Sequence, residues 1–399
     1  MFKNSKITIS NQNKIIFVHL FMSLNIGIWL NYRQTWLLDN FINIESIGKL
    51  LSIGLFCSSF MAIVISLFSV KVKIKDILVL TMSTSIIAMI GLLFSYGHSN
   101  IFLMKILMLI TIICENLFLI GIYPLYATVK KNGKIYERKT IIQNLGKDIG
   151  VFIAGLFIGK ILFGFVLNSN FCLLLSIIFS LLSLYFLLNI RYEKDKENII
   201  KTKKYLVALK EIFSKKILLL YFLFCFLVNI AWDIVLGLQF ILLTNVFDFS
   251  ESFSSNFLLF LGVISIILAI LFLKKVNFKN NFDAFLFKYC LRAILYFIAY
   301  FTNNIIFFII AFAMTIILSR IATKYTDGDF INIASNDLQF MMSNIRFFMV
   351  CLGETVGLFM AGYLFDYGVK YLFLIGGIIY IVCVIIGYIL CNMYDNKRY

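Results

Sequence analysis

Apolar residues run along this chain in blocks of about 20 positions, parted by short polar breaks. Blocks of that length match the hydrocarbon thickness of a bilayer when wound as a helix. They predict spanning helices at about 15–37, 47–70, 76–97, 101–126, 142–167, 171–190, 217–243, 254–273, 284–301, 304–323, 343–365 and 371–391. Three breaks are only a few residues long: GHSN at 97–100, NSN at 168–170 and TNN at 302–304. Turns that short make helical hairpins. The long break, 191–216, lies near mid-chain and reads RYEKDKENIIKTKKYLVALKEIFSKK. The pattern predicts an all-α membrane protein of twelve transmembrane helices, with bundles at 1–190 and 217–399 around a basic central loop.

Composition agrees. Hydrophobic residues make up 61% of the chain and charged residues 14%, against about a quarter charged in soluble domains. The formal net charge of +16 is that of a nucleic-acid binder, but its placement excludes nucleic acid. Reading helix-end residues with their nearest loop, all but five of the 36 Lys and Arg fall on alternate loops and both tails. The exceptions are Arg33, Lys49, Lys105, Lys160 and Lys370. By the positive-inside rule the basic side is cytoplasmic, which puts both termini on the cytoplasmic side of the cell membrane. Loops 130–139 and 191–216 then meet anionic lipid. The eight cysteines are scattered through apolar blocks without CxxC pairs or histidine partners, so no metal site or cofactor is expected. The polar N-tail leads into a block longer than a signal-peptide core, and the first helix is read as retained.

The chain also repeats. LGKDIGVFIAG at 145–155 aligns without gaps to LGETVGLFMAG at 352–362, with six identities at an offset of 207. LFSVKVKIK at 67–75 aligns to LFLKKVNFK at 271–279, with five identities at an offset of 204. Both matches join topologically equivalent elements, as in a duplicated six-span unit.

With twelve spans, a basic central loop and glycine-rich fifth and eleventh helices, the chain resembles the major facilitator superfamily. The likeness lies in topology and repeat. The loop motif between spans two and three is reduced here to Lys71, Lys73, Lys75 and Asp76. The fifth-helix glycine element keeps Gly155 and Gly159 without the family's proline. The resemblance implies two pseudo-symmetric six-helix bundles, a mid-membrane cavity between them and alternating access by rocking. It implies a small-molecule substrate, usually coupled to protons or another ion, and no enzyme activity. A monomer is expected.

Ionisable residues at bilayer depth are the informative positions, since each costs about 2.5–3.5 kcal/mol or more unless paired or hydrated. Glu115 falls near the centre of the fourth block and Asp233 past the middle of the seventh. Low dielectric favours the neutral form of a carboxyl group, which lets such a residue load and release a proton. The bland alternative is a structural ion pair, for instance Glu115 with Lys160 or Arg33. Glu354 is the repeat counterpart of Lys147, and both suit charge networks on the cytoplasmic side. Asn25, Asn116, Asn229 and Gln239 suit substrate hydrogen bonds or helix packing alike. Gly146, Gly150, Gly155, Gly159, Gly353, Gly357 and Gly362 recur on the spacing of close helix contacts. Pro124, the only proline, predicts a kink in the fourth helix.

The best reading is proton-coupled export of a partly hydrophobic compound, with uptake of a metabolite or of an organic anion drawn to Arg33 or Lys160 second. A membrane-embedded enzyme would need clustered His, Asp or Glu at one interface, which the sequence lacks. A non-transporting receptor or assembly factor on a transporter fold is the third class.

Overall fold

The apolar blocks wind as helices in a computed structural model of the chain. It describes residues 11–40, 42–68, 74–95, 100–129, 169–190, 212–275, 281–321 and 339–395, with Lys210 and scattered positions between 142 and 166. The helices are α1 (Asn11–Asp39), α2 (Ile44–Phe68), α3 (Ile74–Ser95), α4 (Ile101–Val129) and α5 (Ser169–Leu188). They continue with α6 (Lys216–Leu236), α7 (Glu251–Lys275), α8 (Asn281–Phe301), α9 (Ile305–Ile321), α10 (Gln339–Phe365) and α11 (Val369–Asp395). α6 carries on through Gln239–Ile241 into a π-helical turn at Leu242–Val246.

The short polar breaks act as helix starts. Asn43 Oδ1 accepts from the Ser46 amide at the head of α2, and Asn100 Oδ1 from the Leu103 amide at the head of α4, each at 3.0 Å. Ser250 does the same for α7 and Asn304 for α9. Each bond satisfies an amide that the first helical turn leaves open. α10 ends at Phe365, and the turn into α11 passes through Gly368, whose φ of +135° suits only glycine.

The expectation of helix throughout needs one correction. Ile161–Leu162 and Phe165–Val166 pair as two short antiparallel strands inside the predicted fifth span. Glycines recur at 155, 159 and 164 there, and each weakens helix propagation. The described positions from 142 to 154 are helical. Pro124 does not end its helix, since α4 runs on to Val129.

Among the described residues, eight helical segments are long and apolar enough to cross a membrane, and Ile305–Leu318 is a shorter apolar one. The protein is a multi-pass membrane protein. α8 is not one of the eight, and it carries Asp283, Lys288 and Arg292 within its 21 residues.

The chain falls into two compact units. One comprises residues 1–30 and 71–199, the other 31–70 and 200–399. In the first, Ile15, Val18 and Met22 of α1 pack with Leu78, Met82, Phe118 and Leu187 from α3, α4 and α5. Lys14 and Lys75 donate to the last carbonyls of the α5 segment, at 2.7 Å to Asn189 and to Ile190. Cations suit that negative helix end. In the second unit α10 lies against both α2 and α6, while α8 packs on α11 and α9. The end of α1 belongs to this second unit, where Gln34 Nε2 donates to the Gly237 carbonyl at 2.9 Å.

Candidate functional site

The site begins with two glycines. Gly353 and Gly357 lie one turn apart on α10 and press on the backbone of α6. A Cβ on Gly357 would sit 2.8 Å from the Ile230 carbonyl and 3.0 Å from the Asp233 Cβ, while one on Gly353 would meet the Phe226 carbonyl. Backbones approach this closely only where side chains are absent. The approach brings Asp233 of α6 and Glu354 of α10 within Coulombic range of each other, with the buried Cys351 thiol feeling both charges. Two carboxylates from separate helices thus lie close enough for their charges to interact.

The first unit holds the same contact without the acids. Gly146 presses on the Leu20 carbonyl and Ser23, and Gly150 on Leu24 and Ile28 of α1. The partners correspond at an offset of 206: Leu20 with Phe226, Ser23 with Asn229, Leu24 with Ile230. By that register Gly27 stands where α6 has Asp233, and by the offset of 207 that relates 145–155 to 352–362 Lys147 stands where α10 has Glu354. The carboxylate pair is specific to the second unit.

A cation cluster lies one residue away along α6. Trp232 stacks on the Arg292 guanidinium of α8 at 4.7 Å, with the Tyr380 and Tyr289 rings at 5.7 and 6.0 Å. Arg292 Nη1 donates to the Tyr380 hydroxyl at 3.2 Å, and the Tyr296 hydroxyl donates to the Ala231 carbonyl at 3.3 Å. The charges of Asp233 and Arg292 both reach Tyr296, so acid and base share this neighbourhood. Arg292 is 3% exposed and Lys288 6%. They are the twelfth and eighth residues of α8, and neither belongs to the preceding loop. Assigning them to that loop, as the charge tally does, overlooks two buried cations four residues apart on one helix face.

The remaining predicted residues scatter. Glu115 is buried on α4 in the first unit, beside Cys114. Asn25 is fully buried on α1 and its amide meets the Met22 sulfur at 3.6 Å. Asn116 and Asn229 donate to their own helices, at Ile112 and Cys225, so each commits one of its two N–H bonds to the preceding turn. Arg33 is buried near the end of α1, and Gln239 is half-buried where α6 loosens. Gly362 meets Gly48 of α2, where an added Cβ would lie 3.0 Å from the Gly48 Cα. Lys160, Gly155 and Gly159 lie outside the described residues, as does loop 130–139.

The last turns of α1 form a second polar contact. Tyr32 shares a short hydrogen bond with Ser255 of α7, and Thr35 hydrogen-bonds the Glu251 carboxyl. Glu251 opens α7 outside the apolar core. Burial and the neighbouring Asp39 charge push its carboxyl up to about 7 from the ordinary 4.5, against the Thr35 bond.

Residues 15–328 match the family model described as Major Facilitator Superfamily. The chain belongs to the Major Facilitator Superfamily. Solved transporter structures share its fold at low identity. A mutant form of the nucleoside transporter NupG is 14% identical with a TM-score of 0.72, covering 96% of this chain and 100% of that one. A D-xylose-proton symporter is 13% identical with a TM-score of 0.71, covering 95% and 98%. A POT family transporter in complex with a thioalcohol-conjugated peptide is 11% identical with a TM-score of 0.72, covering 96% of each chain. No curated protein matches the chain in sequence. As a facilitator-family protein it is a secondary transporter and not an enzyme.

Proposed function

We propose that this facilitator carries a small, partly hydrophobic solute by alternating access, with the Asp233–Glu354 pair as the seat of the coupling proton. The observation behind this reading is the convergence of two carboxylates where α6 and α10 touch backbone to backbone. Like charges so placed are accommodated by taking up a proton, and a helix contact without side chains lets that event move one helix against the other. Two bundles, 1–190 and 217–399, joined by the basic cytoplasmic loop 191–216, would rock about the solute in the cell membrane. The contact of Gly48 with Gly362 fits a state closed at one membrane face.

The direction we favour is export against proton entry. A D-xylose-proton symporter shares the fold, so proton coupling has precedent on it. To test the reading, purified protein is reconstituted into vesicles holding a pH indicator, and a panel of small amphipathic solutes is applied across an imposed pH gradient. Solute-dependent proton flux above protein-free vesicles is expected for wild type and for Glu115→Gln. It should vanish in Asp233→Asn and in Glu354→Gln. Undiminished flux in both of those variants would remove the pair from the coupling step.

A further inference from the structure

Arg292 sits mid-helix in a bilayer-spanning chain, where a charge persists only with a partner or a function. Its planar guanidinium has five N–H donors in a rigid fork. One end, Nη1, is held by the Tyr380 hydroxyl, and one face is covered by Trp232. Nε and Nη2, the two nitrogens whose N–H bonds run parallel along one edge, are buried with no acceptor among the described residues. No described carboxylate lies within ion-pair distance of them. Lys288, one turn earlier and also buried, adds a second positive charge. An edge with two parallel donors matches the two oxygens of a carboxylate. Around it the walls are aromatic: Trp232, Tyr289, Tyr296 and Tyr380. Trp232 is only half-buried.

We propose that the Nε–Nη2 edge of Arg292 docks a carboxylate on the transported solute, making that solute a small organic acid with an apolar body. This rests on the transporter reading and gives it a substrate class. Trp232 of α6 covers the guanidinium face and is followed in sequence by Asp233, so the solute anion on Arg292 of α8 would lie near the residue that holds the coupling proton. Export of the anion against proton entry would then move net positive charge inward, and the membrane potential would drive it.

The test is equilibrium binding of radiolabelled benzoate to the purified full-length protein in nanodiscs at neutral pH, with benzamide as the uncharged isostere. Saturable benzoate binding is expected, unaffected by benzamide. Arg292→Lys keeps the charge but loses the fork, and should weaken binding by about tenfold or more. Arg292→Gln should abolish it, with thermal unfolding reporting that each variant is folded. If Arg292→Gln does not fold, Arg292→Lys and benzamide still decide. The proposal is overturned by no saturable binding to wild type, by equal competition from benzamide, or by wild-type affinity in Arg292→Lys. Binding that appears only after Asp233→Asn would assign the edge to the chain's own carboxylate and overturn it too. Because the assay needs no gradient, intact binding without gradient-driven flux would sink the proton-coupling reading and leave the anion site standing.

Discussion

At the scale of single residues, the carboxylates were legible and the buried arginine was not. Asp233 and Glu354 stand alone in apolar runs, so charge cost marks them from sequence. Arg292 also falls inside the predicted ninth span, 284–301, yet the positive-inside convention lets any cation near a loop pass as a topology signal. The missed signal was the spacing of Lys288, Arg292 and Tyr296, four apart with apolar residues on both sides. The proximity of Asp233 to Glu354 lay beyond sequence reading, because 121 positions separate them and the packing of α10 on α6 brings them together. Tyr380 anchors the guanidinium in our account. Tyr380→Phe should lower stability by about 1.5–3 kcal/mol, the range for hydrogen bonds to charged groups, as read by thermal unfolding in detergent. A change within error would mean that Nη1 does not depend on that hydroxyl.

Among the elements, the helix contacts follow the repeat. Glycines read as packing residues lie where their helices touch, and Gly353 and Gly357 meet α6 as Gly146 and Gly150 meet α1. Gly357→Val would force branched carbon against the Ile230 carbonyl and Asp233, separating α6 from α10. We expect a loss of about 1–3 kcal/mol in unfolding free energy, together with lost flux. Gly368→Val, in a turn remote from that contact, should destabilise through backbone strain while keeping the Asp233–Glu354 geometry. The α1–α7 contact carries a pH dependence. Glu251 has its carboxyl raised to about 7, so its protonated form favours the contact beside Asp39 and Thr35. That contribution is complete below about 4.5 and is lost as pH rises through about 7. Spin labels at positions 38 and 252 should show a short, narrow distance distribution at pH 5 that broadens by pH 8. Glu251→Gln should hold the narrow distribution at both values, and equal broadening in that variant would discard Glu251 as the titrating group.

For the whole molecule, apolar block length carried the class and the repeat carried the duplication, while cargo stayed hidden because family motifs are reduced here. The strand pair at 161–166 shows the limit of block length, since hydropathy registers apolar runs without registering what glycines do to helix. The account joins one proton locus, the Asp233–Glu354 pair, to one solute locus at Arg292. The most direct test separates coupling from carriage in proteoliposomes, by comparing gradient-driven accumulation with equilibrium exchange of a solute that binds wild type. We predict that Asp233→Asn and Glu354→Gln lose accumulation while still exchanging solute across the membrane. Accumulation at wild-type levels in both variants would contradict the account.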